Sequence, residues 1–261
     1  MSFGAIADDY DRLRPSPPDV AVDWLLPADC QVAVDLAAGT GLFARALART
    51  VANVVAVEPD ARMASVLRAR STGVHVVQGI AEAIPVRDDS ADGVFISSAW
   101  HWLDPDLAVP EIGRVLRDGG RLGVLWTSRD REVDWVAELD RLRQADQAPA
   151  GSEAERARTE ASWRWRRQIT LPDSDLFGVV ETAQFTFSRT MTIDDLADMM
   201  GTYSGVITAT PADRAVSLAR TRALLEERFP SATEIDVPMR SWCCRADRTA
   251  SDGPHAMLES R

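Results

Sequence analysis

Val34-Asp35-Leu36-Ala37-Ala38-Gly39-Thr40-Gly41-Leu42 is a short apolar run that stops at an acid, turns on small residues and opens a helix. A β-branched segment handing over to glycines and then to a helical pattern is how a parallel strand enters its crossover helix. The glycines allow unusual dihedrals and close approach of a ligand to the main chain, and the N–H groups at the start of the next helix favour an anionic group there. The same rhythm continues outward. Val32 to Leu36, Asn53 to Val57, Val74 to Gln78, Gly93 to Ser98 and Arg121 to Trp126 are nearly all apolar, which predicts strands buried on both faces. Helices are predicted over Leu42 to Thr50, Ala61 to Arg70 and Ala108 to Leu116, with a weak turn from Ile80 to Ala83, and Asp118-Gly119-Gly120 is predicted to end the last helix.

After Ser128 the pattern changes. Val133 to Ala148 and Glu153 to Gln168 are charged helical stretches around Ala148-Pro149-Ala150-Gly151-Ser152, which reads as an insertion. Thr182 to Arg189 alternates as a one-sided strand, Asp194 to Met200 and Arg214 to Arg228 read as helices, and Pro238 to Arg245 as a last strand. The expectation is an α/β fold: one Rossmann-like, doubly wound, mostly parallel sheet of seven strands. Its parts are an amino-terminal lid segment (1–30), a cofactor-binding core (31–128), a helical insertion for substrate (129–178), carboxyl-terminal strands and helices (179–250) and a tail (251–261).

Composition narrows the function. The 261 residues are 46% hydrophobic and 26% charged, enough to bury a sizeable core. All 29 basic residues are arginine, and against 40 acids they leave a net charge of -11, which disfavours nucleic acid and anionic membrane partners. No apolar run approaches the roughly 18 residues of a membrane span, and Met1 to Arg12 is acidic where a signal peptide is basic then apolar, so a cytoplasmic monomer or homodimer is expected. Cys30 lies far from Cys243 and Cys244, a spacing that suggests neither a disulfide framework nor a metal site. The vicinal cysteines are read as core fillers, and His75 as structural.

Gly39-Thr40-Gly41-Leu42-Phe43-Ala44 satisfies a loose dinucleotide fingerprint, so nicotinamide or flavin binding stands beside other adenosine cofactors. Asp35, at the carboxyl end of the first strand, argues against a diphosphate, which a nearby carboxylate would repel. S-adenosylmethionine carries an ammonium and a sulfonium, which the same carboxylate attracts, while the helix start at Leu42 suits its carboxylate. Glu58, ending the second strand, can accept both ribose hydroxyls of either cofactor.

The loop, followed by Val57-Glu58-Pro59-Asp60, Gly79-Ile80-Ala81-Glu82-Ala83-Ile84-Pro85, Asp92-Gly93-Val94-Phe95 and Arg114-Val115-Leu116-Arg117-Asp118-Gly119-Gly120, resembles the class I S-adenosylmethionine-dependent methyltransferases. Ala99-Trp100-His101-Trp102-Leu103-Asp104 and the opening Phe3 to Pro15 resemble their type-11 small-molecule branch, which includes trans-aconitate methyltransferase relatives. The resemblance implies a reversed last strand and S-adenosylmethionine over the ends of the first two strands. It implies Asp35, Ala37, Gly39 and Gly41 around the methionine part, Glu58 on the ribose, and Pro59 and Asp60 to Met63 near the adenine, with Ala81, Glu82 and Ser98 completing the cofactor site. Ala37 stands where the family has its first glycine, and Ile80 where the family has a polar residue for the adenine amine, leaving that contact to backbone near Ala81.

On the acceptor side, His101 follows the fourth strand and is a candidate general base, with a packed histidine between Trp100 and Trp102 as the alternative. Methyl transfer needs little beyond alignment, so a base is not obligatory. Tyr10 is a candidate for the lid over the cofactor, with core packing as its alternative. Trp100, Trp102, Arg129 and Trp163 are candidate substrate contacts, the last within the knot Trp163-Arg164-Trp165-Arg166-Arg167, which otherwise reads as a solvated helix face. The expected function is methyl transfer from S-adenosylmethionine to a small-molecule acceptor, with an oxygen of a carboxylate or hydroxyl as the target and no metal. A nicotinamide-dependent oxidoreductase and a non-catalytic S-adenosylmethionine-binding protein remain as alternatives.

Overall fold

The five apolar runs between Val32 and Arg129 lie side by side as parallel strands: β1 (Val32–Leu36), β2 (Asn53–Val57), β3 (Val74–Val77), β4 (Ala91–Ser97) and β5 (Leu116–Arg129). Two longer strands, β6 (Glu181–Thr192) and β7 (Glu234–Asp247), complete one sheet in the order β3-β2-β1-β4-β5-β7-β6. β7 runs antiparallel to both of its neighbours, as expected for the reversed last strand. The computed structural model describes residues 3–147, 171, 174–203, 206 and 209–250. The predicted helix over Glu153 to Gln168, the Trp163 to Arg167 knot and the tail from Ser251 lie outside the described residues.

Strand order reverses at β1, whose neighbours are β2 and β4, and this is where open parallel sheets bind ligands beyond their carboxyl ends. Helices cover both faces: α1 (Ala7–Leu13), α2 (Asp19–Leu25), α3 (Leu42–Leu47), α4 (Ala61–Arg70), α5 (Pro105–Val115), α6 (Asp134–Gln147), α7 (Ile193–Met200) and α8 (Pro211–Arg228). Their starts follow local chemistry. Asp60 accepts from the N–H groups of Arg62 and Met63 ahead of α4, Asp104 with Pro105 opens α5, and Thr210 with Pro211 opens α8.

Alternation along each strand divides the core. Ala33, Phe95, Leu125 and Cys243 pack on one face with Leu25, Phe43 and Leu47, while Val34, Ile96, Val124 and Cys244 pack on the other with Ile112 and Leu116. The adjacent cysteines therefore enter different cores, and burial pushes both thiols up to about 12. A third cluster joins Leu139 of α6, Leu196 and Met199 of α7, and Leu225 of α8 to Ile235 and Val237 of β7.

Two local features differ from the sequence reading, and a third matches it. Asp118-Gly119-Gly120 is not a helix stop. It lies inside β5, in a bulge between the pairs Ala91–Leu116 and Gly93–Arg121, with Gly119 at φ 75°. Ile80 to Ala83 keeps the weak turn, Ala83 N–H donating to the Ile80 carbonyl at 3.3 Å, and also forms an isolated bridge. The amino-terminal segment holds α1 and α2 where no helix was predicted, because charge partners far along the chain hold α1 in place. Asp11 accepts from Arg45 at 2.6 Å and Arg70 at 2.7 Å, and Arg189 donates to the carbonyl of Leu13 at 2.6 Å. Burial works to raise the Asp11 carboxyl, yet these guanidiniums hold it below the usual carboxylate range.

Candidate active site

A cavity of about 730 Å³ opens beyond the carboxyl ends of β1, β2, β3, β4 and β5, within the roughly 300–1,000 Å³ of small-molecule pockets. At one end the β1–α3 loop contributes Ala37, Ala38, Gly39 and Thr40, β2 runs into Glu58, Pro59, Asp60 and Met63, and β3 into Ile80, Ala81 and Glu82. At the other end Ser98, His101, Trp102 and Leu103 follow β4, and Trp126, Thr127 and Ser128 end β5. Tyr10, Arg14, Pro15 and Pro17 come from α1 and the segment after it, Tyr203 follows α7, and Arg131 and Trp242 complete the wall.

The loop is built to leave room. Gly39 sits at φ 59°, and a Cβ built there would meet nothing within 4 Å, so the backbone faces open space that a ligand can fill. Gly41 has a different task. At φ 86° its missing Cβ would lie 2.7 Å from Cγ of Leu67, which makes it the close-packing point of α3 against α4 and not part of the cavity wall. Ala37 is at φ 56°, in the left-handed region that glycine favours, so the departure at this position carries backbone strain. Ser98, on the opposite rim, is strained in the same way at φ 56°.

Glu58 is buried beside this loop. One carboxylate oxygen accepts from Gly39 N–H at 2.7 Å and the other from Asp60 N–H at 2.8 Å. Burial outweighs these bonds and raises its pKa. Each oxygen keeps a lone pair, so the carboxylate can still accept from a ligand.

Asp35 requires a correction. The sequence reading set a charged carboxylate against the ligand, whereas β1 is covered on both faces and Asp35 is wholly buried, outside the cavity wall. Neither carboxyl oxygen has a hydrogen-bond partner of normal geometry. Burial drives its pKa up to about 8; Glu58 adds to the rise, and the Ala44 N–H and Arg45 offset part of it. At pH 7 the group is mostly protonated.

Two acceptor-side candidates move for the same reason, the direction their elements impose. Trp100 packs half-buried against the core beside β4, and its neighbours His101 and Trp102 take the cavity. Arg129, 1% exposed, turns inward from the end of β5, donating to Tyr203 Oη at 3.0 Å and pairing with Asp140. Burial opposes its charge, but Tyr203 and Asp140 more than compensate and its pKa rises. Two residues on, Arg131 lines the cavity and shares Asp140. Trp163 lies outside the described residues.

His101 packs at a tilt against Trp102 and Trp126, with ring centroids at 4.6 Å and 4.9 Å and interplanar angles of 42° and 57°, and also faces the cavity. Tyr10, Ala37, Gly39, Glu58, Pro59, Met63, Ala81, Glu82, Ser98 and Trp102 all line the cavity. Arg14, Trp126, Arg131, Tyr203 and Trp242 were missed. They come from four separate segments with no common motif, and only the fold brings them together.

The Methyltransferase domain family matches residues 34–124, the span from β1 into β5. An uncharacterized methyltransferase of Mycobacterium tuberculosis is 37% identical over 248 residues, covering 94% of this chain and 95% of its own length. A malonyl-[acyl-carrier protein] O-methyltransferase of Methylococcus capsulatus is 36% identical over 134 residues, 47% of this chain and 48% of that protein. Among solved structures, a type II methyltransferase from Anaeromyxobacter dehalogenans superposes with a TM-score of 0.65 at 24% identity, over 90% of this chain and 97% of that one, and shares the fold. The cradle at Gly39, the acid ending β2 and a relative matched along nearly its whole length agree: the chain belongs to the class I S-adenosylmethionine-dependent methyltransferases, and S-adenosylmethionine is its cofactor.

Proposed function

We propose that the chain methylates an oxygen of a small organic acceptor bound in the aromatic half of this cavity. The observation that carries the reading is the cavity itself, which runs without interruption from the glycine loop to Trp102, Trp126 and Trp242. When bound, S-adenosylmethionine supplies an electrophilic methyl group on a sulfonium. Ala37 and Gly39 border its methionine part, Glu58 accepts from the ribose hydroxyls, and Pro59, Met63, Ala81 and Glu82 border the adenine. Ser98 marks the boundary with the acceptor. Gly41 sets the loop's path by packing.

Tyr10, carried on a clamped α1, closes the cavity from above and keeps water from the reacting atoms. His101 faces the acceptor and takes the proton of a hydroxyl; a carboxylate needs no such step. The O-methyltransferase activity in the name of the Methylococcus relative supports an oxygen target. With no helix among the described residues long and apolar enough to cross a membrane, a soluble acceptor in the cytoplasm fits this reading.

Calorimetric titration with S-adenosylhomocysteine, run beside oxidised and reduced nicotinamide cofactors, tests it. Micromolar affinity for S-adenosylhomocysteine alone is expected, followed by turnover in a screen of hydroxylated and carboxylic acceptors. Absence of S-adenosylhomocysteine binding refutes the cofactor assignment to this cavity, and turnover only on nitrogen or carbon acceptors refutes the oxygen target.

A further inference from the structure

The amino-terminal segment roofs the cavity and is also keyed to the glycine loop at its floor. Arg45, on α3, sits at the join. Its Nη1 donates to the Thr40 carbonyl at 2.9 Å and to Ser71 Oγ at 3.3 Å, and its Nη2 donates to Asp11 of α1 at 2.6 Å. Among the described residues Asp11 is the carboxylate that pairs with Arg45, and its other oxygen accepts from Arg70 of α4 at 2.7 Å. Against the burial that works to raise it, the Asp11 carboxyl is held low by Arg45 and Arg70 and also by the Thr40 hydroxyl.

The Thr40–Gly41 peptide is thereby held at both ends. Gly41 N–H donates to the Ala38 carbonyl at 2.9 Å, and Arg45 engages the Thr40 carbonyl. The turn this closes contains Gly39, whose N–H is fixed by Glu58 and whose other side faces open cavity. From α1 to the loop is therefore a chain of two charge-assisted hydrogen bonds, Asp11 to Arg45 and Arg45 to Thr40. A second contact runs beside it. A Cβ on Gly4, in the short turn Phe3–Ile6 ahead of α1, would lie 2.6 Å from Asp60 Oδ1, so this segment packs directly on the loop after β2. At the acceptor side Arg14, just past α1, donates to Thr202 Oγ1 at 2.8 Å and to the Thr202 carbonyl at 3.0 Å, with its guanidinium 3.8 Å over the Tyr203 ring.

We propose that Asp11 is a positioning residue for S-adenosylmethionine, holding the Thr40 peptide through Arg45 and so keeping Gly39 in the conformation that admits the cofactor. The proposal rests on the methyltransferase reading above. The Arg45 side chain is 27% exposed, and a guanidinium so far buried stays in place only where a carboxylate meets it. Without the Asp11 charge it turns toward solvent and releases the Thr40 carbonyl. The loosened turn then spreads Gly39 over conformations of which few admit the ligand, and affinity falls by that fraction.

The test is calorimetric titration of the full chain with S-adenosylhomocysteine, at a temperature well below the thermal midpoint of every variant. Asp11→Asn and Arg45→Gln should each weaken binding about tenfold. Because both act through one chain of contacts, the double variant should stay within about threefold of the weaker single one, where independent effects would multiply to about a hundredfold. Arg70→Gln removes the other half of the Asp11 clamp without touching Thr40, so it should lower the thermal midpoint and keep affinity within about threefold of wild type. Wild-type affinity in Asp11→Asn or in Arg45→Gln overturns the proposal and leaves the methyltransferase reading standing. So does multiplying loss in the double variant, or an equal loss in Arg70→Gln, which would trace the effect to the clamp as a whole. Failure of the wild type to bind S-adenosylhomocysteine removes both. Should Asp11→Asn not fold, Arg45→Gln against Arg70→Gln decides, since each leaves Asp11 paired with the other arginine.

Discussion

Asp35→Asn replaces a buried carboxyl by a neutral group of nearly the same shape. Wild-type Asp35 is raised from 3.8 to about 8 in the folded chain, so over this range the unfolded chain ionises it and the folded chain does not. Stability contributed by the group is full below pH 3.8 and is lost as pH rises toward 8, at about 1.4 kcal/mol per pH unit. Between pH 5 and pH 8 the wild type should lose roughly 3–4 kcal/mol that the variant keeps. For a chain of this length that corresponds to roughly 10 °C in thermal midpoint.

The asparagine amide brings an N–H group of its own into a dry site, which displaces the whole profile but not its slope. The pH dependence of the difference is therefore the clean readout. Thermal unfolding of both proteins without cofactor, measured at half-unit steps from pH 5 to pH 8.5, gives that difference directly. The variant should gain on the wild type throughout and level off near pH 8. Parallel profiles would refute the burial argument.

Ala37→Gly relieves a left-handed alanine and should raise stability by about 1 kcal/mol, seen as roughly 2–4 °C in thermal midpoint; an unchanged or lower midpoint contradicts the strain argument. Gly39→Ala and Gly41→Ala should separate binding from folding. The first points a methyl into open cavity and weakens S-adenosylhomocysteine by about tenfold or more, whereas the second drives it into Leu67 and costs about 1–3 kcal/mol of stability in denaturant melts. Equal effects of the two in both assays would undo the distinction. Arg129→Met breaks a buried ion pair and should destabilise the chain by about 3–5 kcal/mol in urea unfolding, and a loss under about 1 kcal/mol would show that Arg131 alone satisfies Asp140. His101→Ala should slow turnover of a hydroxyl acceptor and leave that of a carboxylate acceptor nearly unchanged; a rate within about threefold of wild type on both would reduce it to packing.

The βα alternation from Val32 to Arg129 was legible in the chain, while the reversed last strand and the cofactor followed from the resemblance its motifs carry. Burial on both faces of a parallel strand demands an unbroken apolar run, and a backbone that must admit a ligand demands small residues in one contiguous turn. Ala37, Gly39, Glu58 and the Pro59 to Met63 segment could be picked for that reason: their tasks are local to one strand end. Direction and protonation are another matter. Whether Asp35 faces ligand or core, whether Arg129 or Arg131 enters the cavity, and whether Gly41 serves a ligand or Leu67 depend on which helix covers which face, and sequence spacing carries no record of that. The arginine cluster was least legible. Arg14, Arg131, Tyr203 and Asp140 belong to three distant parts of the chain, and each alone reads as an ordinary residue. Only the packing of α1, α6 and the end of α7 around β5 brings their charges close enough in a partly dry site to matter, because the energy of a charge depends on what surrounds it in three dimensions.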